Sequence, residues 1–217
     1  MVDFRLVFNR RKIVLFTILG LLILFMTVML KMNTVLILFV MLLICLVYSL
    51  PLIDIQHERK NLREIYILKV FIISIIWVVS TVYLPYIEFG KELGIVSLIN
   101  LIFRQLFFIA SIALTFDLRD IQEDAKNNLS TIPVILGQKN AKVVCLMLLG
   151  CSFLLAMYQQ VTTNQELLYP AFISITVTML LIYFSNNQRD RYYYVFWLDG
   201  MCLFQYFITL GFNLNRA

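Results

Sequence analysis

Charge is what this sequence has least of. Asp, Glu, Lys and Arg make up 14% of its 217 residues, where soluble domains average about 25%. So few charges do not cover a soluble particle, and that class is excluded. Glycine (7) and proline (4) are too rare for a collagen-like or low-complexity chain. The four cysteines, Cys45, Cys145, Cys151 and Cys202, all fall inside apolar runs and form no CxxC pair. Neither a zinc site nor a disulfide framework is indicated. The single histidine, His57, lies in a charged loop and reads as solvated. What the chain has instead is hydrophobicity: 61% of residues, with mean hydropathy +0.87. It is a membrane protein, and its few polar residues must carry any chemistry.

A spanning helix needs about 20 largely apolar residues. Seven runs qualify, at about 13–30, 34–53, 66–87, 95–116, 143–161, 167–184 and 194–212. The expectation is an all-α, polytopic helix bundle forming a single membrane domain over 1–217. Only Lys31-Met32-Asn33 separates the first two runs, so they read as a tight hairpin. The first follows the basic cluster Arg10, Arg11, Lys12, but no small-residue cleavage site precedes Lys31, so it reads as a retained span. The longest polar stretch, 117–142, reads as a loop.

Basic residues set orientation. The N-terminal tail and the loops after spans two, four and six carry thirteen Lys and Arg, and the opposite side carries Lys31, Lys91 and Arg216. This asymmetry predicts a cytoplasmic N-terminus, an external C-terminus and a cytoplasmic functional face. Arg59, Lys60 and Arg63 in the second loop read as topogenic or lipid-facing. The basic residues follow topology instead of clustering on a soluble module, so nucleic acid is not an expected partner.

Within the long loop, DLRDIQED places Asp117, Asp120 and Asp124 at spacings of three and four. If the fourth helix continues through it, all three carboxylates share one face within two turns. Like charges so spaced repel, and a divalent cation reverses that repulsion. Mg²⁺ takes oxygen ligands, commonly one or two carboxylates plus substrate phosphates. Arg119 and Lys126 flank the stripe and are candidates for phosphate contacts. A solvated amphipathic cap is the plainer reading of the spacing alone.

After Asp124 the chain reads AKNNLS and then TIPVILG, with Thr131, Pro133 and Gly137 at set distances. The run D-x-R-D-x-x-x-D, six residues, then T-I-P-V-x-L-G resembles the second aspartate-rich motif of the UbiA-type intramembrane prenyltransferases. Upstream, YSLP (Tyr48 to Pro51) followed by a basic loop and Lys69 is similar to another family segment. Tyr192-Tyr193-Tyr194 with Asp199-Gly200 is a third, weaker match. The resemblance implies transfer of an isoprenyl group from a prenyl diphosphate to an aromatic or other lipid-soluble acceptor. It implies Mg²⁺ on Asp120 and Asp124, Asp117 as a further ligand, and Lys69 near the diphosphate. Such enzymes have nine spans and a first motif, N-D-x-x-D-like, that this sequence does not show; only Asp3 and Asn9 stand where it would end. A truncated reading frame, a degenerate relative and a site completed differently all remain open.

Ionisable residues inside spans are functional hypotheses by default. Lys69 also fits snorkelling to the headgroups. Arg104 lies near mid-span, with Asn100 and Gln105 beside it, and Asp199 is a candidate partner or cavity residue. The tyrosines at 192–194 fit an interfacial belt. The alternative functions are a non-catalytic relative that binds prenyl lipid or a partner protein, and a small transporter, for which no inverted repeat is evident. The short loops suggest a bacterial inner membrane.

Overall fold

In hydrocarbon no water meets backbone amides and carbonyls, so apolar runs satisfy them internally as helices. The structure, a computed structural model, describes residues 30–49, 53–55, 58–60, 66–89, 94–127, 129–163, 168–186 and 189–214. The expected first span (save Leu30), His57 and Arg63 lie outside them. The described residues form a helix bundle, apart from a short antiparallel ribbon pairing Ile53–Ile55 with Glu58–Lys60.

Helix α1 is Met32–Ser49. The expected bound at 53 is not met, since Ile53 already belongs to the ribbon; the residue before Pro51 is disfavoured in helical geometry. Helix α2 covers 66–89 and is interrupted by a π turn at Val79–Tyr83. The cause is Pro85, which has no N–H and crowds the carbonyl four residues back, at Thr81. Hydroxyls compensate: Ser80 donates to the Ile76 carbonyl and Thr81 to that of Trp77, each at 2.7 Å. Helices α3 (Ile95–Lys126), α4 (Ile132–Thr163) and α5 (Leu168–Phe184) follow. Helix α6 opens with a π turn, Tyr193–Leu198, and continues as Asp199–Leu214.

Among the described residues, four helices are long and apolar enough to cross a membrane: Lys69–Phe89, Ile95–Lys126, Ile132–Thr162 and Tyr193–Phe212. Helices α1 and α5 are shorter apolar helices. The stretch 117–142, expected to be a loop, is instead mostly helix. Helix α3 runs on to Lys126 and α4 begins at Ile132, with only the short turn around Leu129 between them. The segment is polar but contains good helix formers, and hydropathy measures polarity, not helicity.

Helix α3 is the centre of the bundle, packed on α2 and α4, while α5 joins α4 to α6. Its core face carries Phe108, Ile112, Leu114 and Leu118, all buried. Buried hydroxyls fasten it to α4: Ser111 Oγ donates to the Cys145 carbonyl at 3.0 Å, and Thr115 Oγ1 to Cys145 Sγ at 3.6 Å. At one end, Thr34 Oγ1 donates to Glu88 Oε2 at 2.6 Å and ties the start of α1 to the end of α2. At the other, Lys142 Nζ donates to the carbonyls of Tyr183 and Ser185, capping the C-terminus of α5.

One residue of α4 breaks helical geometry. Gly137 has φ 77° and ψ 159°, a region essentially closed to residues with a Cβ. The space around it is open, so the constraint is conformational and not steric crowding by neighbours. The kink lets the short segment begun by Ile132 and Pro133 turn over the end of α3 before α4 descends. Gly137→Ala is expected to destabilise the folded protein by about 1–3 kcal/mol, read as a lower midpoint in detergent thermal denaturation.

Candidate functional site

The acidic stripe lies on the last turns of α3, where continuous helix carries Asp117, Asp120 and Asp124 past the apolar part of the span. Each carboxylate has a different environment. The Asp117 side chain is 1% exposed and accepts a 2.6 Å ion-paired hydrogen bond from Lys69 Nζ on α2. Its second oxygen, Oδ2, is buried without a hydrogen-bond partner. Asp120 is partly exposed and is held by its neighbour Arg119, through Nε to Oδ1 at 2.6 Å and Nη2 to Oδ2 at 2.9 Å. Asp124 is half-buried, within electrostatic range of Lys69, Asp120 and Glu123, and beside the buried Thr131. Its backbone carbonyl accepts the Leu129 N–H at 2.9 Å and so shapes the turn into α4.

Lys69 is therefore not only a snorkelling residue. It pairs with Asp117 and lies within electrostatic range of Asp124 and of Tyr48 on α1, so two of the matched sequence segments meet at one ammonium. Arg119 is equally central. Its guanidinium lies 5.4 Å from the Phe116 ring centroid and 5.7 Å from that of Tyr194, cation–π distances. Asp199 is within its electrostatic range. Lys126 is not drawn in: it stands exposed in the last turn of α3, with no ion pair among the described residues.

Two expectations change. Asp199 does not partner Arg104; it lies near Arg119, while Arg104 is buried elsewhere on α3. Nor do the three tyrosines form a uniform belt. Tyr192 is 78% exposed and fits one, but Tyr194 is fully buried, its hydroxyl donating to the Asn186 carbonyl at 2.8 Å. Tyr193 is half-buried and donates to the Leu181 carbonyl at 2.5 Å. Consecutive residues of any helix point in different directions, so three cannot all face lipid; that was the available signal.

Beneath the cluster lies a cavity of about 200 Å³ between α2, α3 and α6. Lys69 and Asp199 stand at its polar end, and Val70, Ile73, Ile112 and Phe116 are among its apolar walls. A larger groove of about 690 Å³ adjoins it, sharing Trp77, Asp199 and Cys202 and bounded by the aromatic residues of α6. The arrangement sets charged groups beside an apolar slot.

Among the described residues, no three His, Cys, Asp or Glu side chains converge closely enough to hold a metal ion by themselves. Mg²⁺ commonly takes only one or two protein carboxylates, with substrate phosphates completing its shell. Asp120 and Asp124, with the unpartnered Oδ2 of Asp117 nearby, fit that partial role.

The described helices thus bring acidic and basic side chains together beside an apolar cavity. A model of the UbiA prenyltransferase family matches residues 6–198, and the chain belongs to that family. Comparison with curated proteins and with solved structures gives no significant match.

Removing one partner of the Lys69–Asp117 pair strands the other. Lys69→Met is expected to destabilise the protein by about 1–3 kcal/mol. Asp117→Asn in the same chain should restore most of that loss, giving a non-additive double-mutant cycle in thermal denaturation.

Proposed function

We propose that this chain transfers an isoprenyl group from a prenyl diphosphate to an aromatic or other lipid-soluble acceptor, in a Mg²⁺-dependent reaction. The observation that carries the reading is the Lys69–Asp117 pair, with Asp124 in electrostatic range of Lys69 and Lys69 itself lining the apolar cavity between α2, α3 and α6. Family membership supports it.

The diphosphate sits at the acidic cluster. Asp120 and Asp124 would hold Mg²⁺, with Asp117 as a further ligand, and the ion would supply Lewis-acid chemistry toward a diphosphate leaving group. Lys69 and Arg119 face the phosphate oxygens left over; Arg119 exchanges Asp120 for substrate without leaving its aromatic seat on Phe116 and Tyr194. The apolar tail enters the slot and displaces water from the reacting carbon. The C–O bond breaks, diphosphate departs with the electron pair, and the allylic carbon becomes cationic. The rings of Phe116 and Trp77, which line the slot, favour that cation. The acceptor arrives laterally through the groove along α6, attacks the cation and releases a proton.

The basic-residue asymmetry supports a seven-span arrangement with this site on the cytoplasmic side, and the compact size and short loops suggest a bacterial inner membrane. A second reading, a non-catalytic relative that binds prenyl lipid or a partner protein, draws on the sequence showing no N-D-x-x-D-like first motif. Its signature is saturable binding with no turnover for any acceptor.

In nanodiscs, geranylgeranyl diphosphate should bind saturably and in a Mg²⁺-dependent manner. The double variant Asp120→Ala, Asp124→Ala should weaken that binding at least about tenfold, a loss of about 1.4 kcal/mol or more; unchanged affinity rejects the metal assignment. For topology, a cysteine placed at Lys126 should react with an impermeant maleimide in inside-out vesicles, and one at Lys31 only in right-side-out vesicles.

A further inference from the structure

Helix α3 carries a second buried charge that the proposed reaction does not use. Arg104 lies thirteen residues before Asp117, about 20 Å along the helix axis, and is 8% exposed. Among the described residues it forms no ion pair, and its Nε is buried without a hydrogen-bond partner. Its backbone is fixed, because Ser152 Oγ on α4 donates to the Arg104 carbonyl at 3.0 Å. One turn earlier, buried Asn100 also leaves its side-chain oxygen unpaired.

An arginine keeps its proton, so burial does not neutralise it. A buried charge without a partner is strongly unfavourable, and such groups are ordinarily paired. Arg104 is about 14 Å along α3 from its start at Ile95, far for a side chain whose guanidinium is enclosed by protein. An anion from outside the bundle is the natural complement, and there is room for one. A cavity of about 410 Å³ is lined by Arg104 together with Gln105, Gln205, Thr209 and Thr81, and otherwise by apolar and aromatic residues. An apolar pocket with a few convergent polar groups is the usual form of a small-molecule site. Trp77, Leu203 and Tyr206 on its edge are exposed, so it opens toward the bilayer and not toward water.

The charge and shape of this pocket select the ligand. One guanidinium balances one negative charge, and its planar fork matches a carboxylate in bidentate fashion. The side-chain amides of Gln105 and Gln205 supply neutral donors beside it, while the Thr209 hydroxyl donates to the Gln205 carbonyl at 2.8 Å. A phosphate monoester would bring a second, uncompensated charge. We propose that this pocket binds a long-chain monocarboxylate from the bilayer, a fatty acid, with its head on Arg104 and its chain running along Trp77 and Cys202. The head position on Arg104 is separate from the acidic cluster, the chain sharing the walls Trp77 and Cys202 with the neighbouring slot and groove, and the proposal does not rest on the prenyl-transfer reading.

The test uses the full chain in nanodiscs, with oleate as probe and methyl oleate and oleyl alcohol as uncharged controls. Oleate should bind saturably and raise the thermal midpoint by several degrees, and the controls should do neither. Arg104→Gln should weaken oleate binding at least tenfold, Arg104→Lys less. Should Arg104→Gln fail to fold, Gln205→Leu offers a milder loss of affinity, and the acid-against-ester comparison on the unaltered protein still decides. The Asp120→Ala, Asp124→Ala variant should bind oleate as the parent does. Equal response to oleate and its methyl ester, or undiminished oleate binding by a folded Arg104→Gln or Gln205→Leu variant, overturns the proposal. So does loss of oleate binding in the aspartate double variant. Two carboxylates outside the described residues, Glu92 and Glu166, give a further arm: unresponsiveness to oleate with a matching loss of stability in Glu92→Gln or Glu166→Gln also overturns the proposal, since a carboxylate of the chain would then be the counter-charge.

Discussion

The contact between Lys69 and Asp117 is the constraint on which the rest of the site depends. Asp117 is almost wholly enclosed on the central helix, where a carboxylate persists only with a counter-charge and hydrogen bonds. Lys69 supplies both from α2 at 2.6 Å. That pairing sets α2 against α3 at the level where the apolar span becomes the acidic stripe. With the two helices so placed, Asp120 and Asp124 project beyond the pair on the same helix, and the slot between α2, α3 and α6 opens below it. The same ammonium reaches Tyr48 on α1 electrostatically, so segments distant in sequence report to one point.

Aromatic packing completes the frame. Arg119 is anchored on Phe116 and Tyr194, whose rings lie 6.0 Å apart. This seat keeps a cation beside Asp120 while leaving its hydrogen bonds exchangeable. Tyr194 can serve there because the π turn at the head of α6 directs it inward, while Tyr192 faces outward. The turn closed by the Leu129 N–H on the Asp124 carbonyl brings buried Thr131 beside Asp124.

Much of this was legible in the residues. Hydropathy located the apolar helices that the structure describes, because length and apolarity are what a bilayer demands. The spacing of Asp117, Asp120 and Asp124 announced one helical face, and α3 does continue through them. What escaped followed from using polarity as a proxy for conformation: 117–142 reads as loop by charge yet is largely helix. Pairing was also beyond one-dimensional reach. Arg104 and Asp199 look complementary in the sequence, but the packing of α6 sets Asp199 near Arg119 instead. Pro85 signalled a disturbance of α2, but only the structure located its π turn. The absence of an ion-pair partner for Arg104 among the described residues is likewise a property of packing and not of order along the chain.

The central claim is that the cluster around Lys69 and Asp117 receives an anionic head and the slot beneath it receives an apolar tail. A prenyl diphosphate carrying a photoreactive group on its first isoprene unit, crosslinked in nanodiscs with Mg²⁺ and mapped by mass spectrometry, tests this most directly. The account predicts label in the peptides of α2 and α3 that contain Ile73 and Ile112 or Phe116, suppressed by excess unlabelled prenyl diphosphate. Label confined to α4 and α5, or undiminished by that competitor, would contradict it.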